Sequence, residues 1–386
     1  MKLIFRKIAD YIRECDKLLY FLCLVTTLFG CVAVLSTTYF VTGSAGDFFM
    51  QLISLGLGII AVIVISNFNY KTFIKLWPLF AIVGIGLVAL TFVYGFAPGN
   101  TDDKAWLMLP GGISFQPAEL LKVCFIITFS YHCLKIGDKV KNFIHTILLA
   151  IHGAIPIILV HFQGDDGTAL VFAIMVIGMM FAAGVRLHYF IIALSAVTVS
   201  LPFVYFLVMN EDQKARISAL FFGTETDYSG TMYQQWRGRV ALANGGLFGQ
   251  GLFKGTLVQS GSIPEGYNEF IFTSIGEELG LVGCLAVLVL IAAICIRILR
   301  IGYMANNKAG LVICAGVFSM LLAQTVINVG MCLWFLPVIG VTLPFFSAGG
   351  TSLLCTYLSI GVVMSVNLHR DSDTTYLPHR KLKSID

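Results

Sequence analysis

The run Leu18-Leu-Tyr-Phe-Leu-Cys-Leu-Val-Thr-Thr-Leu-Phe-Gly-Cys-Val-Ala-Val-Leu-Ser-Thr-Thr-Tyr-Phe40 contains no charged residue. A helix of about 20 apolar residues crosses the hydrocarbon core of a bilayer, so this run is long enough to span one. Lys2, Arg6, Lys7, Arg13 and Lys17 precede it. It is too long for the apolar core of a secretory signal and lacks a small-residue cleavage site, so it reads as an uncleaved first span. Nine further runs of the same kind follow, at about 48–66, 76–96, 117–134, 143–161, 168–185, 188–209, 270–296, 311–336 and 345–367. The 143–161 run is the weakest, because it carries His145, His152, Pro156 and His161. The expected fold class is an all-α polytopic membrane protein, a single domain over 1–386 with about ten transmembrane helices.

Composition agrees with that reading. Hydrophobic residues make up 58% of the 386 residues and charged ones 12%, with mean hydropathy +0.87. An ordinary soluble chain is about 25% charged, and a soluble fold of this size could not hide so much apolar surface. Disordered, coiled-coil, collagenous and disulfide-framework classes are excluded. The net charge of +4 is small, and no basic patch interleaved with aromatics appears, so no nucleic-acid partner is expected. The ten cysteines sit almost entirely inside apolar runs without a Cys-x-x-Cys pair, and read as small buried hydrophobes.

The placement of positive charge predicts orientation. Most of the lysines and arginines fall in 1–17, 67–75, 135–142, 297–310 and the tail 368–386, with Arg186 on the same side. The opposite loops hold only Lys104, Lys214, Arg216, Arg237, Arg239 and Lys254, and Lys122 lies inside a span. Basic loops face the cytoplasm, so both termini are expected there. The loops 97–116 and 210–269 are then extracytoplasmic, the second being a large loop between spans seven and eight. Its stretch Lys214–Phe222 is amphipathic and reads either as a helix lying in the lipid interface or as a plain connecting helix.

Several segments break the apolar background. In Phe115-Gln-Pro-Ala-Glu-Leu-Leu-Lys122, Pro117 suits a first helical turn, and Glu119 and Lys122 share a face. Intramembrane charges are costly and tend to face a cavity or the bundle interior. The pair is therefore either a wall contacting an anionic group or a structural ion pair. In Gln163-Gly-Asp-Asp-Gly-Thr-Ala169, Asp165 or Asp166 reads as a helix N-cap, with a substrate or metal role as the alternative. In Ile263–Gly280, Glu265 and Glu269 fall at the membrane surface, and Glu277 and Glu278 about two turns deeper. A carboxylate half out of water can accept a proton from a hydroxyl. Arg216, Arg237 and Arg239 suit phosphate. The glycine run Ala243–Gly251 could bring backbone N–H groups to an anion, without the Gly-Lys-Ser/Thr of a P-loop. Leu336–Ser352 carries two prolines and three glycines, as a re-entrant or cavity-lining segment would.

Taken together, these segments resemble the SEDS family (shape, elongation, division and sporulation), which comprises RodA, FtsW and SpoVE. The resemblance rests on Trp106 with Gly111–Lys122, Gln163–Ala169, Gly245–Gly251, Ile263–Glu265, Phe270–Phe272, Glu277–Gly283, Gln324 with Asn328, and Leu336–Leu353, in order across nearly the whole chain. The acid before Phe270-Ile-Phe272 is Asp in the family and Glu269 here. The resemblance implies a peptidoglycan glycosyltransferase of the cell membrane that polymerises lipid II on its outer face, beside a class B penicillin-binding protein. Glu269 is then the expected catalytic base. Lys122, Arg216, Arg237 and Arg239 are expected to offset pyrophosphate charge. Trp106, Gln116, Glu119, Asp165, Glu265, Glu277 and Ser347 are expected at the substrate. A divalent cation, Mg or Mn, could assist, although no ligand set in the sequence demands one. Two other readings stand beside this one: a flippase for the same lipid-linked precursor, and a catalytically weak scaffold that activates a transpeptidase.

Overall fold

The computed structural model describes residues 13–97, 104–110, 112–222 and 232–370. Most of the terminal segments 1–17 and 368–386, and part of each of the loops 97–116 and 210–269, lie outside the described residues. The elements run in the order α1 (Lys17–Thr42), α2 (Gly46–Asn67), α3 (Tyr70–Lys75), α4 (Trp77–Tyr94), β1 (Leu107–Leu109), β2 (Ile113–Phe115), α5 (Pro117–Ile136), α6 (Phe143–His161), α7 (Asp166–Ala182), α8 (Leu187–Leu207), α9 (Glu211–Phe222), α10 (Tyr233–Gly245), α11 (Thr256–Gln259), α12 (Ile271–Tyr303), α13 (Lys308–Cys332) and α14 (Gly350–Leu368). Among the described residues, nine helices are long and apolar enough to cross a membrane. The expected count of about ten is reached only with α7, which is apolar but shorter at 17 residues. Its start is fixed by the N-cap Asp165, whose carboxylate accepts from Thr168 N–H, so residues before 166 turn away from the helix axis.

The helices begin and end where their side chains satisfy the free backbone groups. Asp16 caps α1 by accepting from Leu19 N–H at 3.0 Å. At the other end, Gly43 takes a left-handed conformation (φ 68°) and returns its N–H to Tyr39 O, a turn that costs glycine nothing. Asp16 also accepts from Arg297 Nε at 2.6 Å, tying α1 to the far end of α12.

Without a hydrophobic drive between helices in lipid, close association needs small residues and interhelical hydrogen bonds. Both appear where α2 meets α14. A Cβ at Gly58 would lie 2.7 Å from the Tyr357 ring. The Tyr357 hydroxyl bonds Thr27 Oγ1 at 2.8 Å, so α1, α2 and α14 share one contact. The layers differ in burial: α13 is buried along 78% of its apolar window, whereas no part of the corresponding window of α8 is buried. Helix α13 is thus the central post and α8 a peripheral one. The only sheet among the described residues is the β1–β2 hairpin, which pairs Leu107 with Phe115 and leads directly into α5.

Helix α12 is broken at Gly280 (φ 66°, ψ −162°). A break at membrane depth frees backbone groups that need partners, and the glycine run supplies them. Gln250 and Gly251 donate N–H to Glu277 O and Glu278 O, and Leu281 and Val282 donate to Gly246 O and Leu247 O. A Cβ at Gly280 would fall 2.4 Å from Gly249 N, so no larger residue fits. The expected anion cradle at 243–251 is therefore corrected: the Gln250 and Gly251 amides and the Gly246 and Leu247 carbonyls are spent on the helix break, and the Gly246 and Gly249 amides bond within the run.

Candidate functional site

At one end of the bundle, four segments meet: the turn before α12, the irregular stretch between α13 and α14, the start of α7, and α9. The turn is tight. Glu265 is left-handed (φ 51°), and its carbonyl accepts from both Asn268 and Phe270 N–H. Such a backbone is costly for a residue with a Cβ and persists only where neighbours hold it. The holding is visible. Ser347 Oγ donates to Asn268 O at 2.7 Å and accepts from Leu343 N–H at 2.8 Å. Ala348 N–H donates to Tyr267 O. From the central post, buried Asn328 donates through Nδ2 to Glu269 O at 2.7 Å and to Val341 O at 2.8 Å.

Glu269 is half-buried on this turn. Its Oε1 lies 3.5 Å from where a Cβ on Gly340 would stand, and Gly340 itself has φ 72°. The carboxylate therefore faces the irregular segment Val338-Ile339-Gly340. The same segment is gripped from two other sides. Exposed Arg216 on α9 donates Nη1 to Val338 O at 3.2 Å. A Cβ on Gly167 in α7 would come within 2.0 Å of Ile339 O, so only glycine allows α7 this close. Gln213 donates to Asp166 Oδ2 at 2.6 Å, fastening α9 to the start of α7. Asp166 Oδ1 is 2.5 Å from His161 Nδ1.

The other expected residues divide into two groups. Gln116 donates to Asp165 Oδ2 at 2.7 Å, joining the start of α5 to the cap of α7. Behind that junction, buried Lys122 is paired with buried Glu119 at 2.8 Å. Burial pushes the Asp165 carboxyl up to about 6, while the Thr168 hydrogen bonds and the Lys122 charge hold it down. The Glu119–Lys122 pair thus lies beneath the Asp165–Gln116 contact and has no open charged surface of its own. Arg239 is exposed and stacks 4.8 Å over the Trp334 ring. Arg237 donates Nε to Ser262 O at 3.0 Å. Trp106 bridges Phe96 through the backbone at the base of the hairpin.

Two expected substrate contacts take another task. Glu277 is fully buried, and its carboxylate accepts from Leu257 and Val258 N–H, capping the short helix α11. Ser347 is buried and spent on the turn and its own loop. Neither has a free polar edge, because a buried carboxylate or hydroxyl is stable only when its lone pairs and proton are used. Glu278 behaves similarly, accepting from Ser36 Oγ at 2.6 Å and Gln259 Nε2 at 3.0 Å. Among the described residues, no group of three His, Cys, Asp or Glu side chains is placed to hold a metal ion. The cation compatible with the sequence has no protein ligand set there.

Sequence reasoning missed Gln213 and Gly167 as the clasps of α9 and α7. Their signal lay only in being neighbours of residues already singled out, since a close approach between distant segments leaves no local pattern.

A family model described as cell cycle protein (FtsW, RodA, SpoVE) matches residues 16–372. The probable peptidoglycan glycosyltransferase FtsW of Geobacter metallireducens is 32% identical, over 95% of this chain and 98% of its own length. The peptidoglycan glycosyltransferase MrdB of Escherichia coli is 30% identical, over 82% of this chain and 84% of its own. Among solved structures, the Thermus thermophilus rod shape determining protein RodA is similar in fold, with a TM-score of 0.68 and 23% identity over 93% of this chain and 98% of that one. A chain from a peptidoglycan synthase complex that coordinates polymerization and crosslinking has a TM-score of 0.79 at 24% identity, covering 93% of this chain and 99% of that one.

Proposed function

The chain belongs to the FtsW, RodA and SpoVE family of cell cycle proteins and is a membrane peptidoglycan glycosyltransferase, and from that premise we propose that Glu269 is its catalytic base. The observation that carries the proposal is the seating of Glu269: a half-buried carboxylate on a strained turn, pinned by Ser347 and Asn328, facing a segment that Arg216 also grips.

The substrate is lipid II, and the reaction is one displacement. The Glu269 carboxylate takes the proton from the 4-hydroxyl of an acceptor GlcNAc. That oxygen forms a bond to the anomeric carbon of the donor MurNAc, which inverts. The bond from that carbon to pyrophosphate breaks, and undecaprenyl pyrophosphate leaves with the electron pair. Exposed Arg216 and Arg239 are the guanidinium groups able to meet the pyrophosphate, since a planar fork matches its oxygens and offsets charge that grows in the transition state. Lys122 acts indirectly: paired with Glu119, it fixes the Gln116–Asp165 junction behind the site. Arg237, Glu265 and Trp106 frame the approach. The site end carries few basic loops, so it opens to the outer face, the segments 1–17 and 368–386 stay in the cytoplasm, and 210–269 works outside. A class B penicillin-binding protein acts beside it on the glycan product.

The test is polymerisation of labelled lipid II by the purified full chain, with and without a class B penicillin-binding partner, read as glycan chains on a gel. Loss of a general base costs about 10²–10⁴-fold, so Glu269→Gln should make glycan at roughly that fraction of the wild-type rate. Wild-type-level chains from Glu269→Gln would remove Glu269 from the reaction.

A further inference from the structure

Toward the opposite end of the bundle, about 18–30 Å along α5 from Gln116 by helical rise, lies a cavity of about 530 Å³. Its walls come from the start of α4 (Trp77), the last turns of α5 (Thr128, Tyr131, His132, Lys135, Ile136), the turn that follows (Lys139) and α6 (His145, His152). None of these residues is acidic. Among the described residues, neither lysine is in an ion pair. His132 Nδ1 and His152 Nδ1 share a hydrogen across 3.0 Å, and Thr128 Oγ1 lies 3.4 Å from His152 Nε2. His145 Nδ1 is buried without a hydrogen-bond partner. The indole of Trp77 stacks on Tyr131 at 5.1 Å, and Lys135 Nζ stands 6.0 Å over the same ring.

A buried ring nitrogen without a partner, two ammonium groups outside any ion pair among the described residues and no carboxylate in the lining make a site for an anion. Apolar surroundings narrow the choice. Leu134, Phe143 and Ile144, within two positions of lining residues, expose 42%, 60% and 69% of their surface, and would lie against acyl chains. Stacked Trp and Tyr suit the boundary where headgroup meets hydrocarbon, and basic pockets between spans take phosphorylated headgroups. A free anion would use the lysines but leave the aromatic and apolar border idle. We propose that this cavity holds the phosphate-bearing headgroup of an anionic membrane lipid, a site separate from the glycosyl-transfer end.

Trp77 reports on it. The detergent-solubilised full chain is titrated with dioctanoyl phosphatidylglycerol, dioctanoyl phosphatidylcholine and inorganic phosphate, and tryptophan fluorescence is followed. Phosphatidylglycerol should give a saturable change that Trp77→Phe abolishes, and the other two should bind at least about tenfold more weakly. Lys135→Gln combined with Lys139→Gln removes two exposed charges and should weaken phosphatidylglycerol about thirtyfold, with the melting temperature unchanged. Equal affinity for phosphatidylcholine overturns the proposal, as does equal affinity for phosphate, which would make it a free-anion site. A signal surviving Trp77→Phe, or wild-type affinity in the double variant, also overturns it.

Discussion

Asp165 shows how one side chain can carry both structure and a pH response. It caps α7, accepts from Gln116, and sits near the Glu119–Lys122 pair. Its native pKa of about 6 lies above the ordinary 3.8 because burial disfavours the charged form. The folded chain therefore binds this proton better than the unfolded chain does, and stability falls as pH rises from 3.8 through about 6. Thermal unfolding in detergent should show a higher melting temperature at pH 4.5 than at pH 7 from this group, with Asp165→Asn flattening the difference, since Asn keeps an oxygen for the Thr168 N–H. An unaltered pH slope in Asp165→Asn would assign the slope to another group. Glu269 is the second such residue, and its test is of geometry. Glu269→Asp shortens the side chain by one methylene with almost the same intrinsic acidity. If reach decides activity, the rate should fall by up to about 100-fold while Glu269→Gln falls further. An Asp variant as active as the wild type would mean that reach does not decide activity.

The elements decide whether those residues meet. Helix α7 can touch the Val338–Gly340 segment only because residue 167 has no Cβ, the nearest atom being the Ile339 carbonyl. Gly167→Ala forces the two apart. Overpacking costs about 1–3 kcal/mol, so the unfolding temperature should drop, and glycan synthesis should fall by more than the loss of folded protein explains. Activity at the wild-type level per folded molecule would show that α7 and the segment need not touch. Asn328 plays the complementary part from α13, with one amide serving two carbonyls, Glu269 O and Val341 O. Asn328→Leu leaves the buried Val341 carbonyl short of a donor, a cost of about 1–3 kcal/mol, leaves Glu269 O only the weak Cys332 Sγ contact, and loosens the turn under Glu269. The expected readout is a lower rate at saturating lipid II. An unchanged rate would mean that Ser347 and Ala348 hold the turn without it.

At the scale of the whole molecule, the bundle has two unlike ends. One end carries Glu269 on an irregular turn, with Arg216 on α9 and Arg239 on α10. The other carries the Asp16–Arg297 clasp and the histidine-lined cavity. The uneven distribution of lysine and arginine predicts that the first end faces outward. Cysteines placed at exposed Lys254 and exposed Lys75 test this. The native cysteines are free and, apart from half-buried Cys15, buried, so they should react little. A membrane-impermeant maleimide added to intact cells should label Lys254→Cys and spare Lys75→Cys. The reverse pattern would invert the orientation and move the reaction to the cytoplasmic side.

Hydropathy alone determined that this chain crosses a membrane many times and roughly where each span lies, because long apolar side-chain runs belong in lipid and a helix satisfies its polar backbone there within the segment. The residues unusual for that setting, such as Glu269, Gln116, Asp165 and the Gly/Pro-rich 336–352 stretch, were legible as a group for the same reason. Their tasks were not. Glu277 and Glu269 look alike in sequence, yet one is locked onto the N–H groups of α11 and the other faces Gly340. The glycine run 243–251 looks like an anion cradle and proves to be the partner of a broken helix. Only the tertiary structure decides such cases, because each hydrogen-bonding group is taken by whichever donor or acceptor the fold brings nearest, and that neighbour is often far away in the chain.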